Sequence, residues 1–175
     1  MRQRLSIRDV WQNYSTKQGL AAEDLVIAVL RDHVSSDDAL LVQPKPTDLA
    51  GIYGQTATGR PHGIRPEFVI KHTLTGKSIW GEVKRQNNRG NAHERAAKYF
   101  APGIVASAQE IGKLSVNVFP FWLIFMNGIA DDARYRQEIS HWFKGIDRHL
   151  FLWTGERDAS ALVEHFDRNI KPLLQ

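Results

Sequence analysis

The amino-acid sequence predicts an α/β domain with a mixed central β-sheet flanked by helices. Two observations favour this fold class. The first is the order of elements, because helices precede a β-hairpin and strands then alternate with helices. The second is the apolar stretch at residues 121–127, which is typical of a strand buried on both faces. The length of 175 residues and the 42% hydrophobic content suit one globular domain.

The first third of the chain is predicted to be mainly helical. Residues 6–17 form a candidate helix, since their apolar side chains share one face, and residues 20–33 form a second helix with apolar side chains at core spacing. Residues 39–43 are a short strand candidate that ends at Pro44. Residues 44–63 are rich in Pro, Gly and Thr and predict a loop.

The middle of the chain predicts a β-hairpin followed by a helix. Residues 68–70 and 78–84 have strand character, and the turn at residues 73–77 contains a glycine. A helix is expected over residues 91–100, ending before a Pro-Gly pair.

The last third predicts the rest of the sheet. The apolar strand at residues 121–127 is followed by a helix at 131–144, which has acidic residues in its first turn. A further strand is expected at 150–153 and a last helix at 157–170.

Several classes of protein are excluded by composition. The chain has no cysteine, so it holds no disulfide framework, no iron–sulfur cluster and no cysteine nucleophile. Its first residues lack the apolar segment of a signal peptide, and its longest apolar run, residues 120–126, has strand length. The expectation is therefore a cytoplasmic protein with no membrane span.

Positive charge is concentrated in the middle of the chain. Residues 60–98 hold nine basic and three acidic side chains, a net charge of +6, whereas the remainder holds 14 basic and 16 acidic residues. A basic centre in a nearly neutral body suggests a surface that faces a polyanion. A basic face that is merely solvated is an equally good interpretation of the charge alone.

Two carboxylates and a lysine are predicted to converge on the hairpin. Side chains alternate between the faces of a strand, so Glu82 and Lys84 point the same way, and Glu67 lies across the hairpin from them. Carboxylate oxygens are suitable ligands for Mg²⁺, which promotes phosphodiester hydrolysis by polarising phosphate. A lysine can orient water and offset developing negative charge. The alternative is a surface hairpin with ordinary charges.

The segment after this hairpin carries a family resemblance. Pro66-Glu67 and Glu82-Val83-Lys84 resemble the PD-(D/E)xK nuclease signature, and they are followed by the segment Gly90-Asn91-Ala92-His93-Glu94-Arg95. A Gly-Asn-Ala-x-Glu-Arg segment in this position is similar to the recognition segment of the EcoRI/MunI group of type II restriction endonucleases. The resemblance covers residues 63–100, and the first 60 residues carry none.

The resemblance implies a restriction-endonuclease-like core and a set of roles. Glu67, Glu82 and the carbonyl of Val83 would bind Mg²⁺, and Lys84 would be the catalytic lysine. The residues expected to enter the major groove and contact base edges are Asn91, Ala92, Glu94 and Arg95. The residues expected to contact phosphates are Arg85, Arg89 and Lys98.

The resemblance also implies partners and a domain organisation. The partners would be double-stranded DNA, a second copy of the chain in a homodimer that reads a palindrome, and a cognate DNA methyltransferase in the same host. The organisation would be one nuclease domain over residues 1–175. Residues 1–35 would be N-terminal helices, residues 63–100 the catalytic hairpin and recognition helix, and residues 119–172 the remainder of the core.

Some features leave alternatives open. The first acid is Glu67 where the family usually has Asp, and Asp48 is a second candidate for that ligand. Asn91 and Glu94 also have the spacing of a helix-capping pair. An AATT-containing target is a further hypothesis. The other functions considered are a structure-specific repair or junction-resolving nuclease and a DNA-binding protein without catalytic activity.

Overall fold

Five β-strands form one mixed sheet in the computed structural model, which describes residues 22–85, 91–126, 128–154 and 159–175. The strands lie side by side in chain order. β1 is antiparallel to β2, and β2 is antiparallel to β3, whereas β3, β4 and β5 are parallel to one another. Their bounds are β1 Leu40–Pro44, β2 Phe68–His72, β3 Ser78–Arg85, β4 Phe121–Met126 and β5 Leu150–Trp153. This arrangement confirms the predicted fold class.

Helices cover both faces of the sheet. The α-helices are α1 Ala22–Val34, α2 Ala92–Ala96, α3 Pro102–Ile111, α4 Gly128–Asp131, α5 Ala133–Trp142, α6 Ala159–His165 and α7 Lys171–Leu174. Two 3₁₀-helices span Ala97–Phe100 and Asp147–His149, and a π-helical segment, Phe166–Ile170, joins α6 to α7. Within the described ranges, no helix combines the length and apolarity that a membrane crossing requires.

The sheet separates two hydrophobic clusters. On one face, Ile79 and Val83 of β3 pack with side chains of α1 and α6. On the other face, Trp80 packs with side chains of α2, α3 and α5. Strand β4 is buried along its whole length and contributes to both clusters, as its apolar sequence predicts. The alternation predicted for β3 is therefore present, and Glu82 and Lys84 lie on the Trp80 face.

The strand register brings several chain segments to one end of the sheet. Phe68 at the start of β2 pairs with Gly81 near the end of β3. Because β3, β4 and β5 are parallel, their carboxyl ends lie at this same end, which we call the carboxyl end of the sheet. The hairpin turn between β2 and β3 lies at the opposite end. Residues from several strands and helices can therefore contribute to a site at the carboxyl end of the sheet.

The structure corrects the predicted helices at three places. Helix α3 begins at Pro102, where the sequence predicts only the end of the preceding helix, because Pro is well suited to the first turn of a new helix. The helix predicted at 131–144 is two helices, because Asp132 is extended and its carboxylate caps α5 by accepting from the backbone N–H groups of Arg134 and Tyr135. The last helix contains the π-helical segment. The helix predicted at residues 6–17 lies outside the described residues.

Candidate active site

Glu67 directly precedes β2 and lies beside β3, close to Glu82. The backbone N–H of Glu67 donates to the carbonyl of Gly81 at 3.0 Å, and Phe68 pairs with Gly81. Glu67 lies just outside the paired residues of β2, and its carboxyl group is close enough to Glu82 for the Glu82 charge to raise its pKa. Both predicted carboxylates therefore lie at the carboxyl end of the sheet.

The carboxylate of Glu82 is held by two donors. Glu82 is 3% exposed and lies on the Trp80 face of β3. The ammonium group of Lys84 contacts Oε1 of Glu82 and lies 3.5 Å from the carbonyl oxygen of Val83. The hydroxyl of Tyr99 donates to Oε2 of Glu82 at 2.6 Å. The predicted pair of Glu82 and Lys84 is thus in direct contact, and a tyrosine completes the arrangement.

The environment of Glu67 disfavours its negative charge. Burial raises the pKa of the Glu67 carboxyl group, and the charges of Glu82 and Glu23 raise it further, whereas Lys84 and Lys45 lower it. The pKa of Glu67 is raised overall, because desolvation and neighbouring carboxylates both favour the neutral form of the carboxyl group. A cation bound between Glu67 and Glu82 would relieve this repulsion.

The donor set fits a hard divalent cation. Two carboxylates and the Val83 carbonyl, which faces the same space as Lys84, are oxygen ligands of the type that Mg²⁺ prefers. In the described part of the chain, no group of three or more His, Cys, Asp or Glu side chains has metal-binding geometry. A Mg²⁺ site here would therefore depend on two side chains and main-chain, water or phosphate oxygens, which matches the preference of Mg²⁺ for incomplete protein coordination.

Asp48, the alternative first ligand, is engaged elsewhere. Its carboxylate accepts from the Lys71 ammonium group at 3.0 Å, and both side chains are about one-third exposed. The proximity of Glu67 to Glu82 favours Glu67 over Asp48 as the candidate ligand.

The helix predicted at residues 91–100 is observed as α2 and the 3₁₀-helix that continues it. Asn91, Glu94 and Arg95 are exposed, so their side chains are available to a partner. Ala92 is 8% exposed and belongs to the hydrophobic cluster beside α2, which leaves little of its surface for a base contact.

The predicted phosphate contacts have different positions. Arg85 is exposed at the end of β3. Lys98 is exposed, and its ammonium group lies 4.9 Å from the centroid of the Tyr99 ring. Arg89 lies outside the described residues.

Helix capping does not account for Asn91. Asn91 occupies the N-cap position of α2, but it makes no side-chain capping hydrogen bond to the described residues of the first turn.

His93, at the variable position of the recognition motif, has a structural role. His93 is 1% exposed, its Nε2 lies 2.8 Å from Oε2 of Glu138, and its ring packs on Tyr135 at 5.4 Å between centroids. Helix α2 is thus anchored on α5 while its polar side chains remain exposed.

Sequence reasoning missed two residues of this site. Tyr99 reaches Glu82 from 17 residues further along the chain, and Glu23 acts on Glu67 from the first turn of α1. Neither has a sequence signal, since each contact depends on how a helix packs against the sheet.

The fold and site together define a class of protein. A mixed sheet with two carboxylates and a lysine at its carboxyl end is the arrangement of the PD-(D/E)xK nucleases. The chain belongs to the family of the type II restriction enzyme MunI, because a sequence model of that family matches residues 1–175. This finding confirms the predicted family.

Individual relatives agree with this assignment. The type II restriction enzyme MunI of Mycoplasma sp. is 34% identical over 123 residues, which cover 64% of this chain and 61% of the relative. The aligned part of the chain thus spans about three fifths of that relative. The crystal structure of MunI restriction endonuclease in complex with cognate DNA matches with a TM-score of 0.80 and 25% identity, covering 100% of both chains. This match confirms the restriction-endonuclease-like fold.

Proposed function

We propose that this protein is a Mg²⁺-dependent, sequence-specific endonuclease that hydrolyses phosphodiester bonds in double-stranded DNA at a short palindrome. The observation that carries this proposal is the convergence of Glu67, Glu82 and Lys84 at the carboxyl end of the sheet. The chain's family supports it, and so does its similarity to the crystal structure of MunI in complex with cognate DNA. We also propose that residues 1–175 form one nuclease domain.

The proposed chemistry assigns a role to each residue. Glu67, Glu82 and the Val83 carbonyl hold the cation, whose contribution when bound is Lewis-acid polarisation of the phosphate. Lys84 lies against Glu82 and has its remaining N–H donors available to orient the attacking water and offset charge on the phosphate oxygens. Burial of Glu82 keeps this side of the site away from bulk water, which strengthens these electrostatic contacts.

DNA recognition is assigned to the exposed side chains next to the site. Asn91, Glu94 and Arg95 read base edges from α2, since Asn and Arg can pair bidentately with adenine and guanine. Arg85 and Lys98 contact phosphates, as does Arg89 from outside the described residues. The proposed target contains AATT.

The biological setting follows from restriction activity. A homodimer fits a palindrome, since its two-fold axis coincides with that of the DNA. A host that carries such a nuclease needs a cognate DNA methyltransferase to protect its own sites, and both enzymes would act in the cytoplasm.

The test is cleavage of a fully sequenced plasmid, followed by sequencing of the new ends. The wild-type protein should cut at one short palindrome in Mg²⁺ and not in EDTA. Lys84→Ala and Glu82→Ala should each reduce the cleavage rate at least about 100-fold, because each removes a group that acts on the reacting phosphate. Lys71→Ala is the matched control, since this lysine is also half-buried and ion-paired but pairs with Asp48.

The outcomes separate the candidate functions. Undetectable Mg²⁺-dependent cleavage, or equal rates for the wild type and both site variants, refutes the proposal. Cleavage of branched but not linear DNA would indicate a junction-resolving enzyme. Sequence-specific binding without cleavage would indicate a DNA-binding protein that lacks catalysis.

A further inference from the structure

We propose that Tyr99 is a positioning residue for the active site, which orients the Glu82 carboxylate for metal binding and ties the orientation of that carboxylate to the recognition segment. This inference rests on the proposed function, because it assigns Glu82 to the metal. It concerns a residue that lies outside both the catalytic hairpin and the Gly-Asn-Ala-x-Glu-Arg motif.

The contact between Tyr99 and Glu82 is direct and shielded from water. The tyrosine hydroxyl donates to Oε2 at 2.6 Å, and the two residues are 0% and 3% exposed. Lys84 contacts the other oxygen, Oε1. Each carboxylate oxygen has two acceptor positions, so one donor on each still leaves both oxygens able to bind a cation. With a donor on each oxygen, the plane of the carboxylate is set from both sides.

Packing restrains the tyrosine. Its ring lies 4.9 Å from the ring of Phe121, which is itself fully buried on the same face of the sheet. Tyr99 also belongs to the hydrophobic cluster that contains Ala92 and Ala96 of α2. A buried hydroxyl without its partner is costly, so the hydrogen bond and the packing favour one position.

Chain continuity connects this hydrogen bond to the DNA-reading residues. Helix α2 passes directly into the 3₁₀-helix, and Tyr99 follows Arg95 by four residues. Helix α2 is anchored near its start by the proximity of His93 to Glu138. The 3₁₀-helix that follows it is anchored on Glu82 through Tyr99. If DNA binding displaced α2, the Tyr99 hydroxyl that donates to Glu82 would therefore move with it. The recognition segment and the metal ligand are joined by one hydrogen bond rather than by a long path.

The matched variants are Tyr99→Phe and Tyr135→Phe. The first keeps the ring on Phe121 and removes only the hydroxyl that Glu82 accepts. The second removes a hydroxyl from another buried tyrosine, which is 7% exposed and lies in α5 within the same hydrophobic cluster. Thermal unfolding in EDTA measures the stability of both variants without metal. Mn²⁺ serves as the probe, and the free ion is counted by electron paramagnetic resonance in the absence of DNA.

We expect Tyr99→Phe to weaken Mn²⁺ binding by 10- to 100-fold, about the effect of losing a hydrogen bond that orients a metal ligand. The Mg²⁺ concentration for half-maximal cleavage should rise in parallel, whereas the rate at saturating Mg²⁺ should recover. The affinity for the target duplex in EDTA should stay within about twofold of the wild type. Tyr135→Phe should match the wild type in its Mn²⁺ affinity.

Two results would overturn the inference. One is Mn²⁺ binding by Tyr99→Phe within twofold of the wild type. The other is equal weakening by both variants, which would mean that loosening the cluster, and not the hydroxyl, controls the site. Failure of the proposed function is distinguishable, because the wild-type protein itself would then neither bind Mn²⁺ nor cleave DNA.

Discussion

Gly81 is the position where the structure makes the sharpest prediction about the architecture that supports the site. It precedes Glu82 in β3 and pairs with Phe68. A Cβ added at Gly81 would lie 1.9, 2.1 and 2.3 Å from three atoms of the Phe68 ring. The favourable separation of non-bonded carbon atoms is about 3.5–4.0 Å, so the overlap exceeds about 1 Å. Phe68 is fully buried and packs on Trp122, so its ring has little room to move.

Gly81→Ala should therefore lower the free energy of unfolding. Overpacking of this severity costs about 3 kcal/mol, and replacing glycine by alanine in a strand returns roughly 0.5–1 kcal/mol of backbone entropy. The net loss is about 2 kcal/mol, which corresponds to a fall in Tm of roughly 4–8 °C for a chain of this length. Calorimetry or thermal unfolding followed by circular dichroism measures this change.

A control and a second substitution test the stated cause. Gly103→Ala, in the first turn of α3, meets no atom within 4 Å and should leave Tm unchanged or higher. Phe68→Leu should relieve the overlap, so the double variant with Gly81→Ala should be more stable than the sum of the single effects by at least about 1 kcal/mol. An unchanged Tm for Gly81→Ala, or strictly additive effects, would show that the Phe68 ring does not exclude a side chain at position 81.

Two further predictions concern histidine titration and helix capping. Burial lowers the pKa of His149 from 6.5 to about 4, although its Nδ1 lies 3.0 Å from the Phe121 carbonyl oxygen. In the unfolded chain His149 is protonated below pH 6.5, whereas in the folded chain it is protonated only near pH 4. The free energy of unfolding therefore has its full value above pH 6.5 and falls by about 2 kcal/mol by pH 5. Urea unfolding at pH 7 and pH 5 measures this change, and His149→Asn, which retains a hydrogen-bond donor, is the variant. Between the two pH values its free energy of unfolding should fall by about 2 kcal/mol less than that of the wild type. An identical fall would contradict the assignment of the effect to His149. Asn91→Ala should change the free energy of unfolding by less than about 0.5 kcal/mol, since no capping hydrogen bond is lost, and a decrease near 1 kcal/mol would show that Asn91 does cap α2.

The strands and the catalytic hairpin could be predicted because their signals are local. The two-residue period of a strand places Glu82 and Lys84 on one face, and a short hairpin brings Glu67 close to them without any long-range information. The apolar run of β4 likewise indicates burial on both faces. These features follow from residues close together in the chain, which is why sequence alone sufficed.

Contacts that depend on helix packing could not be predicted in the same way. The hydrogen bond from Tyr99 to Glu82 requires a particular orientation of α2 against the sheet. The effect of Glu23 on Glu67 requires α1 to direct its first turn toward the start of β2. The sequence contains the side chains but no pattern that reports those orientations.

The positions of the basic side chains could not be inferred from their density along the chain. The basic excess in residues 60–98 suggested one polyanion-facing surface, but two of its lysines are engaged away from Glu82. Lys71 pairs with Asp48, and Lys77, in the turn at the opposite end of the sheet, contacts the carbonyl oxygen of Gln175. Among the described residues, the cations that act on the Glu67 carboxyl group include Lys45, which lies outside that segment. The field at the site is therefore set by the ends of strands rather than by charge density along the chain, and a basic segment predicts a partner better than it predicts which residues contact it.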